Sequence, residues 1–391
     1  MRDGMGMHFA QAKATNKALR LMRDAAGVAP LYYGKTDRDE WCFASEVKAL
    51  MTVTHDIHEF PPGHLFDGTE MNSWSVFREN KMHNDSPELI VEELRETLLA
   101  AVIESIDVVA GDVGVLLSGG LDSTAIATLA SNFLNNRIHT FTIGLHDAPD
   151  LVAAREVAEC VGTTHHNLIV TRDELIEYLP EVIWHLESFD ALLVRSSLLH
   201  YLIAKMASDY VPSIMVGEGA DELFAGYPIH KEIHLSKLPA VLLESLRNMH
   251  NESLQRVDRC GTAHGLNTTV PYLDPRLVTF SLRIPPELKV RNGFGKWCLR
   301  EAMADLIPAS TLNRPRAKFW ESGGVDGMLA EWARESIAFE EFTKEQILLN
   351  GWRLDSREEL MDYRIFHDHF GEIAESPTWV GRTIGASLEK V

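Results

Sequence analysis

Val113-Gly114-Val115-Leu116-Leu117-Ser118-Gly119-Gly120-Leu121-Asp122-Ser123 is the stretch on which the fold of this chain turns. An apolar, β-rich run enters a loop of two adjacent glycines and two serines, and an apolar-periodic helix follows at once over Thr124 to Leu134. A glycine-rich turn exposes backbone N–H groups. The helix behind it adds unpaired donors and the positive end of its dipole, so the segment is suited to hold an anion. Gly119 and Gly120 let the backbone approach a phosphate closely, while Ser118 and Ser123 add hydroxyl donors. Asp122 would repel bound phosphates unless a divalent cation lay between them, which implies Mg²⁺. The G-x-x-x-x-G-K-[ST] pattern of γ-phosphate-transferring loops is absent.

Outward from this loop the elements alternate. The pattern predicts a strand at Ile138 to Ile143, then a helix opened by Asp150, with Leu151, Ala154, Val157, Ala158 and Val161 on one face and Gly162 closing it. A strand at Asn167 to Val170, helices through much of Glu174 to Met206, and a short buried strand at Ile214-Met215-Val216 complete the series. Upstream, Ser86-Pro87 starts a helix whose apolar face is Leu94, Leu98, Val102 and Ile106. Such alternation predicts an α/β fold built on a doubly wound parallel sheet, turning largely helical after about residue 235. Ligands of these sheets bind beyond the carboxyl ends of the strands. The loop after Val216, Gly217-Glu218-Gly219-Ala220-Asp221-Glu222-Leu223-Phe224-Ala225-Gly226-Tyr227, mixes three carboxylates with three glycines and should lie at the same sheet edge.

The bulk properties narrow the function classes. The chain has 391 residues, 45% hydrophobic and 24% charged, which suits an ordinary globular protein of two or three domains. A net charge of −20 argues against nucleic-acid binding and requires local cations around any anionic substrate. Cys42, Cys160, Cys260 and Cys298 show no C-x-x-C pairing and read as buried, reduced thiols. No signal core and no apolar span of membrane length is present, so a cytoplasmic protein without membrane attachment is expected. The 17 histidines form no H-E-x-x-H spacing, leaving Mg²⁺ as the expected metal. Residues 1 to 80 read as short strands around Leu31-Tyr32-Tyr33, Trp41 to Ala44 and His64 to Phe66, too little for an independent core, with a linker at Arg78 to Asp85.

The loop from Ser118 to Ser123 resembles the pyrophosphate loop of the ATP pyrophosphatases (adenine nucleotide α-hydrolase-like), which cleave ATP between its α and β phosphates. Together with the second loop, Phe141 to Leu145, Pro149 to His166 and Val270-Pro271-Tyr272-Leu273-Asp274, it makes the chain similar to the synthetase half of glutamine-dependent asparagine synthetases. The resemblance implies an ATP-pyrophosphatase synthetase domain over residues 86–391 and an ATP-dependent, AMP-forming amide synthetase. Aspartate would attack the α-phosphorus of ATP, and ammonia would then displace AMP from β-aspartyl-AMP.

It also implies residue roles. Ser118, Gly119, Gly120 and Ser123 would hold pyrophosphate, with Gly217 beside them; Leu117, Ile143 and Gly219 would line the adenine site. Asp122 and Asp221 would share Mg²⁺, and Glu218 would accept a proton from ammonia. Arg195 would supply a cation for the substrate. Arg316 stands where the family carries a catalytic lysine, with Lys318 two residues on, and a guanidinium does not simply replace an ammonium. Asn267 and Thr269 replace a family Glu-x-Arg pair, and Leu192 and Leu193 replace hydroxyl-bearing positions. These departures leave open a related adenylating enzyme acting on another small carboxylic acid, or a catalytically impaired nucleotide-binding subunit.

Residues 1–80 resemble the C-terminal fragment of an Ntn-type glutaminase domain, through Gly4-Met5-Gly6, Arg23 to Tyr33 and Ala44 to Leu50. Such a glutaminase needs a cysteine directly after the initiator methionine, and position 2 is Arg2. Glutaminase activity is therefore expected to be absent, with ammonia arriving free or from a separate glutaminase subunit, and a homo-oligomer is a further candidate assembly.

Overall fold

The structure is a computed structural model that describes residues 8–14, 19–75, 77–78, 81–107, 111–135 and 137–383. Arg2 and Gly4-Met5-Gly6 lie outside the described residues.

Seven short strands come first: β1 (Ala10–Ala14), β2 (Leu19–Arg23), β3 (Tyr32–Lys35), β4 (Trp41–Ala44), β5 (Asp56–Glu59), β6 (His64–Phe66) and β7 (Met71–Ser73). They form two antiparallel sheets, in the orders β1-β2-β6-β7 and β4-β3-β5. Among the described residues, their shared core holds only Leu21, Leu31, Phe60 and Phe66 as buried side chains. So small a core cannot offset the entropy of ordering the segment, and the strands lean on the rest of the chain. Tyr32, Val47, Leu50 and Ile57 join a larger apolar cluster around helix Ala191–Ser208. Glu187, fully buried, accepts hydrogen bonds from the backbone N–H of Val47 (2.9 Å) and Lys48 (2.8 Å) and pairs with Arg259 (2.8 Å).

The main body is a five-stranded sheet of β8 (Val113–Leu116), β9 (His139–Gly144), β10 (Thr164–Ile169), β11 (Ser213–Met215) and β12 (Asn267–Thr269). Their order is β10-β9-β8-β11-β12, and every pairing is parallel. The order runs outward from β8 in one direction and then reverses from β11, so the chain winds helices onto both faces as the alternation predicts. One face carries helices Pro87–Asp107 and Leu121–Leu134, with Leu94, Leu98 and Val102 at zero exposure. The other carries helices Arg172–Leu186, Ala191–Ser208 and Arg357–Phe370. Gly162 closes helix Pro149–Val161 with φ +78°, a left-handed turn suited to glycine.

The region after about residue 235 is largely helical as expected, with β12 inside it: Asn-Thr-Thr carries no apolar run, and the strand exists only by pairing with β11. Two readings needed correction. β10 starts at Thr164, ahead of the expected Asn167, since its polar residues pair along the whole of β9. All four cysteines are unpaired, but Cys160 is exposed and Cys42 half-buried; only Cys260 and Cys298 are buried. Among the described residues no helix is long and apolar enough to cross a membrane.

Candidate active site

The reversal of winding direction between β8 and β11 places two loops side by side at the carboxyl edge of the sheet. In the first, Gly119 takes φ +72°, and a Cβ there would come 2.6 Å from the backbone of Ala153, so the turn packs tightly on helix Pro149–Val161. The Ser123 hydroxyl accepts from the Ser118 N–H (3.2 Å), and the Ser118 hydroxyl accepts from the Gly120 N–H (3.2 Å). Gly120 is the N-cap of helix Leu121–Leu134 and brings no capping side chain, so the helix keeps first-turn donors for an anion. Leu117 and Ile143, both buried, lie at the ends of β8 and β9 beneath the loop.

The second loop crosses close to the first: a Cβ at Gly217 would lie 3.3 Å from Asp122 Cβ and from the Ser123 N–H nitrogen. Gly219, at φ +96°, fits against Leu273 and Tyr272 and starts helix Ala220–Phe224, which carries Asp221. The Tyr272 hydroxyl donates to the Asp122 carbonyl at 3.2 Å. The two expected metal carboxylates are thereby brought together.

Between them lies a side chain that the sequence reading did not single out. Lys296 Nζ sits 2.6 Å from Asp122 Oδ2 and 2.5 Å from Asp221 Oδ1. Arg316 adds its Nε at 3.1 Å from Asp221 Oδ2, and its guanidinium stacks 4.4 Å above the Tyr227 ring. Burial would lower the Lys296 pKa, but Asp122 and Asp221 outweigh it and keep the ammonium charged. Burial likewise opposes ionisation of Asp221, yet Lys296 and Arg316 together hold it down to about 2. Asp122 has less cationic company, so burial prevails and raises its pKa.

Mg²⁺ can be tested against this donor set. Asp122 Oδ1 is buried and has no hydrogen-bond partner, which is an oxygen suited to a hard cation. Among the described residues no group of three or more His, Cys, Asp or Glu side chains is placed to hold a metal. Two carboxylates suit Mg²⁺ when substrate phosphates complete its oxygen shell, so the residues fit a metal that arrives with nucleotide.

Other cations are less obviously placed for catalysis. Glu218, the expected base, is hydrogen-bonded to the guanidinium of Arg256, which lies 5.9 Å from the Phe319 ring. Arg314 donates to the Ser118 carbonyl and to Asp150 Oδ1, each at 2.6 Å, and so ties the phosphate loop to helix Pro149–Val161. Lys318 turns its ammonium over the Trp320 ring at 4.9 Å, and burial, with Arg316 and Arg195 adding to it, lowers its pKa. Arg195 is buried and clamped by Glu358, Nε to Oε1 at 2.6 Å and Nη2 to Oε2 at 2.5 Å. Nε and Nη2 are thus bound to a neighbouring helix, while Nη1 lies 3.6 Å from the exposed Asp326 carboxylate. Leu192 and Leu193 are buried in the same helix.

Of the residues named from sequence, Ser118 to Ser123, Gly217, Gly219, Asp221 and Arg316 converge; Lys318 lies within electrostatic reach of Arg316 and Arg195, and Arg195 is paired with Glu358. Lys296 and Arg256 were missed, and Arg314 was noted only as part of the basic segment that ends at Phe319. Gly295, directly before Lys296, was the one local mark: a Cβ there would fall 2.3 Å from the Ala225 carbonyl oxygen, so the glycine permits a close backbone approach.

A family model described as Asparagine synthase matches residues 93–244 and 234–380, and one described as Glutamine amidotransferase domain matches residues 3–52. The chain is 33% identical over 384 residues to a probable glutamine-hydrolyzing asparagine synthetase of Dictyostelium discoideum, covering 88% of this chain and 68% of that protein. It is 34% identical over 368 residues to glutamine-hydrolyzing asparagine synthetase 2 of Oryza sativa, covering 86% of this chain and 61% of that protein. It therefore spans roughly two thirds of the length of these relatives. Among solved structures, NMN synthetase from Francisella tularensis aligns over 74% of this chain and 97% of its own at 14% identity and a TM-score of 0.35.

Proposed function

Because this chain belongs to the asparagine synthase family, we propose that it is an ATP-dependent ligase that forms an amide and releases AMP and pyrophosphate. The observation that carries the reading is the meeting of the phosphate loop with Asp122 and Asp221 at the point where the sheet's winding reverses. Residues 86–391 act as the synthetase domain and residues 1–80 as a fragment of a glutaminase-type domain. Ammonia is the nucleophile that forms the amide.

The substrate carboxylate, most simply that of aspartate, attacks the α-phosphorus of ATP; the bond to the β-phosphate oxygen breaks and pyrophosphate leaves. The Ser118 and Ser123 hydroxyls and the first-turn N–H groups of helix Leu121–Leu134 hold the leaving pyrophosphate. A Mg²⁺ ion held by Asp122 and Asp221 would neutralise charge on the phosphates. Arg316, fixed by Asp221 and Tyr227, presents a planar guanidinium to phosphate oxygen. Ammonia then attacks the acyl carbon, AMP departs, and Glu218 takes the surplus proton once Arg256 has released it to face the acyl group.

A second reading keeps the adenylation and changes the acid. The clamp of Glu358 on Arg195 removes a cation that aspartate's α-carboxylate would use, and this favours a substrate with fewer anionic groups. Pyrophosphate exchange into ATP, run with aspartate and a panel of small carboxylic acids, separates the readings. Exchange with aspartate supports the first and exchange only with another acid the second. Absence of exchange with every acid refutes both. E218Q should retain exchange and lose amide formation; loss of both would remove Glu218 from the role of base.

A further inference from the structure

Lys296 occupies the place assigned above to a divalent cation, and its setting is specialised for holding an ammonium there. Its side chain is 6% exposed, and Nζ bridges carboxylates carried by two different loops. Its backbone takes φ +57°, a left-handed conformation that a non-glycine residue keeps only where its surroundings impose it. The Lys296 N–H donates to the Phe224 carbonyl at 2.9 Å, which holds that turn against the second loop. Gly226 leaves the room: a Cβ there would fall 2.1 Å from Lys296 Cε and 1.7 Å from Asp221 Oδ1. An ordinary buried ion pair requires neither a strained lysine nor a neighbour stripped of its side chain.

The pairing is also incomplete. Asp122 Oδ1 stays buried without a hydrogen-bond partner although Oδ2 is bound to the lysine. One ammonium thus holds a pair of carboxylates that has unused oxygen for a second cation. The two cations cannot sit together unaided: a unit charge about 4 Å from a dication at an effective dielectric of about 20 shifts its affinity by far more than tenfold. Lysine has a long flexible stem, and phosphate oxygens arriving at Ser118–Ser123 would offer its ammonium new charge-assisted partners.

We infer that Lys296 is a resident cation that excludes free divalent metal from the Asp122–Asp221 pair, and that nucleotide admits the metal by drawing the ammonium onto its phosphates. The inference rests on the reading of these two carboxylates as the metal side of an ATP site. It predicts that metal and nucleotide enter together, and that metal alone does not load the site.

Mn²⁺ binding, followed by its electron paramagnetic resonance signal without turnover, tests this directly. Wild-type protein should take up Mn²⁺ at this site only in the presence of the α,β-methylene analogue of ATP. K296M should bind Mn²⁺ without nucleotide at least about tenfold more tightly than wild type, while K296R, which keeps the charge, should exclude it as wild type does. Equal Mn²⁺ affinity of the wild type with and without nucleotide overturns the inference, as does a folded K296M that gains no affinity. If K296M does not fold, the wild-type comparison with and without nucleotide decides alone. If no nucleotide-dependent Mn²⁺ appears at all, the ATP-site reading itself fails, which the exchange assay reports independently.

Discussion

Replacing Gly226 with alanine is the sharpest perturbation of the site, because the added atom lands on the groups said to matter. The new Cβ would lie 1.7 Å from Asp221 Oδ1 and 2.1 Å from Lys296 Cε. Ordinary contact begins at about twice the shorter distance, so the Asp221 carboxylate must retreat by about 1.5 Å or more. The Gly226 N–H donates to the Asp221 carbonyl at 2.9 Å, so the backbones of the two residues are tied and the side chain must give way. Displacements of about 1 Å at reacting groups cost roughly a hundredfold in rate. Overpacking of this kind costs about 1–3 kcal/mol of stability, a loss a domain of this size should survive. The expected outcome for G226A is therefore a folded protein, judged by circular dichroism and thermal melting, whose ATP–pyrophosphate exchange falls about a hundredfold. G351A is the control: Gly351 has φ +85° and no atom within 4 Å of its would-be Cβ, so only a backbone cost is incurred and exchange should be untouched. Exchange by G226A close to that of wild type would refute the claim that Asp221 must be held where it stands.

Three further outcomes follow from the same geometry. R195M should destabilise the protein by about 3–5 kcal/mol in urea unfolding, because it breaks a buried, bidentate ion pair by removing one member; an unchanged stability with a raised KM for the acid would instead support Arg195 in substrate binding. R314M removes the bonds to the Ser118 carbonyl and Asp150, and should raise the KM for ATP by about tenfold or more, measured by exchange at varied ATP. Asp258 is pushed up to about 6 by burial, with Glu46 adding to the rise and Arg259 opposing it. Its folded-state pKa exceeds the unfolded value, so the native state binds the proton more tightly. That contribution is complete below about pH 4 and disappears as pH rises through about 6. D258N should therefore flatten the fall in melting temperature across that window; an unchanged slope would exclude Asp258 as its source.

Much of the fold was legible because its determinants are local. The apolar run into Gly119-Gly120, the 3-and-4 spacing ending at Gly162 and the Ser86-Pro87 start each act within a few residues, and each element appears where local rules put it. β12 was not legible, since Asn267–Thr269 becomes a strand only by lying beside β11. The same division runs through the site. Ser118 to Ser123 and Asp221 are recognisable because phosphate-binding backbone must be glycine-rich and must precede a helix.

Lys296 and Arg256 carry no such local mark. Lys296 meets Asp122 across 174 positions of sequence and Arg256 meets Glu218 across 38, so only the closure of the chain reveals either pair. Arg195 makes the same point: its bidentate partner, Glu358, lies 163 positions away and nothing in the local sequence announces it. The sequence by itself determined the phosphate loop and the alternating elements of the sheet that presents it, since these depend on backbone conformations that local residues dictate. Tertiary structure alone decided which charges face one another, because Coulomb and hydrogen-bond energies act over a few ångströms of space, a distance that spacing along the chain does not encode.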